Sequence, residues 1–98
     1  MADEKHLSML KQYPKAWNQW REGHQTVWVD LREADLKRAN LHGRYLDAAN
    51  LTRADCSGAD FSEADLTNAK LDGTTLGEAD LTDAIFTGTH LPPGTTLP

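Results

Sequence analysis

From Val29 onward an apolar residue returns at every fifth position: 31, 36, 41, 46, 51, 56, 61, 66, 71, 76, 81, 86 and 91. Ten of these thirteen are Leu, and the others are Cys56, Phe61 and Phe86. Two places before each stands a small residue: Ala at 34, 39, 49, 54, 59, 64, 69, 79 and 84, with Val29, Thr74 and Thr89 in the same slot. Only the unit that opens with Arg44 breaks the rule. A helix turns by roughly 100° per residue, so a step of five smears successive leucines around every face. A plain strand fails too, because an odd step reverses sides each time. A short extended piece followed by a corner fits the pattern. On that piece the small residue and the Leu point inward, and the remaining three positions point out or turn. Repetition winds a narrow solenoid whose coils pair through the backbone, about 4.8 Å apart.

Before the repeat the period changes. Leu7, Leu10, Trp17 and Trp20 follow helical spacing and form one apolar stripe. Pro14 interrupts it, which predicts a kink or two short helices meeting near Tyr13. The stripe, together with Val27 and Trp28 on the way into the first coil, is expected to plug the N-terminal end of the core. Behind the repeat stands Pro92-Pro93-Gly94-Thr95-Thr96-Leu97-Pro98, too short and Pro-rich for a covering helix. The final coil is therefore expected to leave an edge with unpaired backbone groups. Two outcomes are expected of that edge. Either two chains pair through their C-terminal coils, with Phe86, Leu91 and Leu97 at the contact, or the solenoid continues in a neighbouring repeat chain.

Units such as Ala34-Asp35-Leu36-Lys37-Arg38, Ala64-Asp65-Leu66-Thr67-Asn68 and Ala79-Asp80-Leu81-Thr82-Asp83 resemble the A-(D/N)-L-x-x signature of the pentapeptide repeat family. Thirteen units in one register cover residues 29–93, about two thirds of the chain. The resemblance implies a right-handed quadrilateral β-helix with four units per coil. The fold class expected is thus an all-β solenoid of about three coils with an N-terminal α-helical cap. Its parts are a cap over 1–28, the repeats over 29–93 and a tail over 94–98. The stretch Leu10-Lys11-Gln12 to Ala16-Trp17-Asn18-Gln19-Trp20-Arg21 also resembles the helix that precedes the repeats in many members.

Charge sharpens the picture. The chain of 98 residues carries a net −5, unevenly spread. Residues 1–28 and 29–53 are each net +1, whereas residues 54–98 set eight acids against Lys70 alone. An acidic half argues against direct binding of nucleic acid, which requires Lys and Arg to displace counterions. With four units per coil, residues twenty apart stack. The third side then carries Asp60, Glu63, Asp80 and Asp83 with no Lys or Arg. These four are the candidate binding residues for a partner, expected to be a basic protein; a solvated acidic side that aids solubility is the plainer reading. Some members of the family are similar in shape and charge to duplex DNA and inhibit DNA gyrase, which makes a topoisomerase inhibitor the alternative function.

Little else carries chemistry. One cysteine, Cys56, excludes an internal disulfide and a zinc cluster, and its Leu position predicts a buried, inert thiol. His6, His24, His42 and His90 share no spacing, and no Ser–His–Asp set stands out. Gly43, Gly58, Gly73 and Gly88 close their units, where a corner needs positive φ. No enzyme activity or cofactor is expected, because a narrow filled interior leaves no pocket; a divalent cation on the four third-side carboxylates is not expected either, since no loop shapes a site for it. No membrane span or signal peptide is visible, and a cytoplasmic location is expected. Arg44 and Tyr45 occupy the fourth unit, beside the cap. Since an unpaired buried guanidinium is costly, Arg44 is expected to reach the cap and bond its backbone or Glu22, with Tyr45 outward on the side of Ile85. Arg44, Tyr45, Trp17, Trp20 and Trp28 together form the expected joint between cap and solenoid.

Overall fold

The computed structural model describes residues 1–12 and 14–98. Two helices precede the repeats: α1 over Glu4–Gln12 and α2 over Pro14–Gly23. Asp3 starts α1 by accepting the amides of Lys5 (2.8 Å) and His6 (3.2 Å) with Oδ1, which satisfies two of the orphan donors of a first turn. Glu4 and Lys11 lie at the ends where the helix dipole favours their charges. Pro14 opens α2, where a missing amide proton is no loss, and Gly23 ends it. The junction expected near Tyr13 lies outside the described residues.

After Val29 the chain winds in steps of twenty residues. Parallel bridges join Asp30 to Asn50, Asn50 to Lys70 and Lys70 to His90 on one side. Three further columns run Asp35–Asp55–Thr75, Asn40–Asp60–Asp80 and Tyr45–Asp65–Ile85. The extended piece of each unit is a single bridge residue, shorter than an ordinary strand. Each bridge residue from the second coil on, Asn50 through His90, turns both its amide and its carbonyl toward the preceding coil: Asn50 donates to Val29 and accepts from Leu31. The four sides are the units beginning at 29, 34, 39 and 44, with those twenty and forty residues later stacked beneath them.

The residue types follow from this geometry. Leu31, Leu36, Leu46, Leu51, Cys56, Phe61, Leu66 and Leu71 have no solvent exposure, and Ala49, Ala59, Ala64 and Ala69 share that interior. Burial pushes the Cys56 thiol up to about 12, so it stays protonated and unreactive. The Asp or Asn between Ala and Leu builds the corner: Oδ1 of Asp30, Asp35, Asn40, Asn50, Asp55, Asp60, Asp65 and Asp80 accepts the amide two residues on. The last residue of nearly every unit is left-handed, with φ from +58° to +69°. Glycine fills that place at 43, 58, 73 and 88, but Glu33, Arg38, Ala48, Arg53, Glu63, Asn68, Glu78 and Asp83 adopt it as well. The corner sets the conformation, whatever residue occupies it.

Candidate functional site

The two ends of the solenoid and its third side hold the residues of interest. At the N-terminal end, the upward-facing backbone groups of the first coil have no preceding coil to bond. Side chains and backbone of the helical segment take its place. Asp30 donates to His6 Nδ1 (3.2 Å) and accepts the Asp3 amide (2.9 Å). The Asp35 carbonyl accepts from Lys11 Nζ at 3.3 Å. Tyr45 donates its amide to Asn18 Oδ1 and accepts Trp17 Nε1, both at 2.9 Å. Asn18 Nδ2 also reaches the Gly43 carbonyl at 2.9 Å. Three of the four sides are closed in this way.

Several expected joint residues behave differently from the sequence reading. Trp17 is fully buried and Trp20 half-buried, packing ring to ring at 5.4 Å. Trp28, expected to plug the core, is 90% exposed. Counting back five from Glu33 puts position 28 in the outermost place of a unit, and Val29 takes the inward slot instead. Arg44 bonds neither Glu22 nor the helical backbone. Its Nη1 donates to the His42 carbonyl at 2.8 Å, within its own coil, and desolvation lowers its pKa. That carbonyl points where a preceding coil would sit, so Arg44 substitutes for a missing amide.

The arginine that ties helix to coil is Arg21, which sequence reasoning missed. Its side chain is 2% exposed. Nη1 donates to the carbonyls of His24 (2.8 Å) and Val27 (3.3 Å), and Nη2 to the Asp47 carbonyl (3.3 Å) and carboxylate (3.2 Å). The signal was present, since Arg21 lies four residues after Trp17 on the same helical face, as His6 lies four before Leu10. Tyr45 is exposed, as is Ile85 below it. Its contribution to the joint comes from its backbone, not its ring.

On the third side, Asp60 stacks on Asp80 through a parallel bridge. Asp60 accepts both the amide and the hydroxyl of Ser62. Asp80 accepts the Thr82 amide, and the hydrogen bonds from Thr82 hold its carboxyl below the usual value. Glu63 and Asp83 occupy left-handed corner positions twenty residues apart and are exposed. Among the described residues, none of the four carboxylates has a Lys or Arg within ion-pair distance. His42 joins this side from the first coil, with Nδ1 2.8 Å from Ser62 Oγ and Nε2 3.4 Å from Glu63. A Ser–His–Glu contact therefore exists where the sequence suggested none. The hydroxyl is bonded to Asp60, and both the His42 and Glu63 side chains are more than half exposed.

At the C-terminal end the ladder stops. The amides of Leu76, Leu81, Phe86 and Leu91 and the carbonyls of Thr74, Ala79, Ala84 and Thr89 have no partner among the described residues. Phe86 and Leu91 are half-buried and Leu97 is 43% exposed. Residues of the tail, including Thr96 and Leu97, border a small cavity of about 250 Å³ with Ala79 and Leu81. No group of His, Cys, Asp and Glu suited to a metal ion occurs among the described residues. Among the described residues no helix is long and apolar enough to cross a membrane.

Comparisons with known proteins agree on one family. A family model described as pentapeptide repeats matches residues 49–88 in 8 copies. Eight chains of solved structures match. One is Rfr23, a pentapeptide repeat protein from the cyanobacterium Cyanothece 51142, at 29% identity and a TM-score of 0.61. That match covers 67% of this chain and 45% of Rfr23, so the chain spans less than half that relative's length. Another is alr5209, a pentapeptide repeat protein from Nostoc PCC 7120, at 30% identity, covering 67% of this chain and 72% of that one with a TM-score of 0.43. A third is HetL of Nostoc sp. strain PCC 7120, a pentapeptide repeat protein involved in heterocyst differentiation regulation. It is 36% identical over 66% of this chain and 35% of HetL, with a TM-score of 0.27. No curated protein matches.

Proposed function

Because this chain belongs to the pentapeptide repeat family, whose members form right-handed quadrilateral β-helices, we propose that it is a non-enzymatic interaction module that docks a basic protein partner on its third side. In this reading residues 1–28 cap a right-handed solenoid of about three coils over 29–93, and 94–98 form a tail. One observation carries the functional reading: four carboxylates in two stacked rows, with no Lys or Arg paired to any of them among the described residues. Like charges one coil spacing apart repel by around 1 kcal/mol even in water, a cost that a cationic partner relieves. Asp60 and Asp80 each commit one oxygen to a corner, leaving the other for a partner, while Glu63 meets only the His42 ring at 3.4 Å and Asp83 has no partner among the described residues. Capture from an extract of the host tests this. A protein retained by the native chain and lost when Asp60, Glu63, Asp80 and Asp83 become Asn or Gln supports the site. Unchanged retention overturns it.

A second reading rests on the unpaired amides and carbonyls of the last coil. They fit pairing with another solenoid edge, either a second copy with Phe86, Leu91 and Leu97 at the contact or a neighbouring repeat chain. Light scattering near millimolar concentration tests the first form. A dimer should slow hydrogen exchange at Leu76, Leu81, Phe86 and Leu91; a clean monomer with fast exchange there rejects self-pairing.

A further inference from the structure

The proposal above leaves Trp28 unused, and its position is unusual for this chain. The corresponding last places of the next twelve units carry Glu33, Arg38, Gly43, Ala48, Arg53, Gly58, Glu63, Asn68, Gly73, Glu78, Asp83 and Gly88, all charged, polar or small, and the thirteenth carries Pro93. Only position 28 holds a large apolar side chain there, and its indole is 90% exposed. Exposure of that much aromatic surface is unfavourable unless something covers it. Below Trp28 in the twenty-residue register come Ala48, Asn68 and Gly88, so the corner recedes beneath the ring. A groove of about 520 Å³ opens there, lined by Trp28, Arg32, Ala48, Asn50, Asn68 and Lys70 among others. That is within the usual size of a ligand site.

The polar lining is rich in donors. Lys70, the only base of residues 54–98, has no acid within ion-pair distance among the described residues. Among the described residues the Asn50 and Asn68 side-chain amides donate to no acceptor, although Asn50 Oδ1 accepts from Thr52. Arg32 is taken up by a bidentate pair with Asp30 at 2.9 Å, which holds the Asp30 carboxyl low. What remains is one exposed indole, two amide donors and one free ammonium. Lys70 lies two coils below the level of Trp28, roughly 10 Å along the solenoid axis.

We infer that this groove binds an extended acidic peptide segment of a partner protein. An apolar or aromatic side chain covers Trp28, peptide carbonyls accept from Asn50 and Asn68, and a carboxylate two to four residues away meets Lys70. A single unpaired ammonium, in a groove whose other cation, Arg32, is already neutralised by Asp30, suits one carboxylate better than a doubly charged phosphate, which disfavours a nucleotide. The surface is distinct from the acidic third side and selects the opposite charge.

Selection of a random peptide display library against the full chain tests the assignment. The expected winners carry a large apolar residue and an Asp or Glu two to four places apart. Their affinity falls at least tenfold in Trp28→Ala and in Lys70→Glu, partly recovers in Trp28→Phe, and is unchanged in Glu78→Gln. Because Trp28 and Lys70 are exposed, both variants should melt as the native chain does, which separates lost binding from lost fold. Winners without that pattern, winners indifferent to both substitutions, or no winners at all would overturn the proposal. So would adenosine monophosphate quenching Trp28 fluorescence and displacing the peptides.

Discussion

The first coil and the last coil are built from the same five-residue unit, yet they meet the solvent differently. In the first coil Leu31, Leu36, Leu41 and Leu46 are at most 1% exposed, because helices cover one edge and the second coil the other. In the last coil Leu76, Phe86 and Leu91 are only half-buried and Leu81 is 7% exposed. Identical residues in identical slots thus contribute differently according to what lies on the next level. In a solenoid a repeat cannot bury its own face, so stability comes from nearest-neighbour contacts, and an end is as stable as its cover.

Truncation of the aromatic pair tests this contrast most strongly. Phe61→Ala, in a middle coil with no exposure, should cost about 3–5 kcal/mol in urea unfolding. Phe86→Ala fills the same inward slot at the open end and should cost less than half as much. Equal losses would mean that the last coil is covered in solution, as self-pairing requires.

The cover over the first coil comes next. Arg21→Ala removes a buried guanidinium, leaves the carbonyls of Val27 and Asp47 without their donor and that of His24 with the Val27 amide alone, which should cost about 2–4 kcal/mol. Arg44→Ala gives up one hydrogen bond but also a partly desolvated charge, and should stay within about 1 kcal/mol of neutral. Thermal melts of the two variants side by side would reverse the assignment of the joint if Arg44 proved the costlier.

Corner carboxylates differ in a smaller, pH-dependent way. Hydrogen bonds from Ser57 and Thr82 hold Asp55 and Asp80 below the ordinary carboxylate value in the folded state. The unfolded chain therefore binds protons first on acidification, and this contribution is present above the ordinary value and is lost as pH falls through the folded one. Asp80→Asn should flatten the loss of stability as pH falls below the ordinary carboxylate value while leaving the corner intact, since Asn40 and Asn50 already serve at equivalent positions. Ala48→Gly should have the smallest effect, a gain of about 0.5 kcal/mol from relieving a left-handed Ala. A loss in equilibrium melts would show that the corner does not strain an L-residue.

Much of this molecule was legible in order of residues alone. The five-residue period implied the solenoid, the inward Leu and Ala and the buried thiol of Cys56, because spacing fixes which way a side chain points once the chain bends at regular intervals; the four sides, and with them the acidic third side, followed from the family resemblance. The same register, extended back one unit, places Trp28 outside, against the general tendency of tryptophan to bury. Arg21 escaped because a charged residue on an apolar helical face reads as an interruption of the stripe. The backbone acceptors that satisfy it belong to residues three to twenty-six positions away.

The role of the fourth unit was decided only in three dimensions. Arg44-Tyr45 breaks the sequence pattern, but the joint there is made by Tyr45's backbone with Trp17 and Asn18, and by Arg21 with Asp47. The repeat by itself determined the coil, since local spacing repeated many times leaves few other ways to bury the leucines. Which groups closed its first edge depended on where two helices came to rest, and backbone acceptors at a coil end carry no residue-specific mark in the sequence.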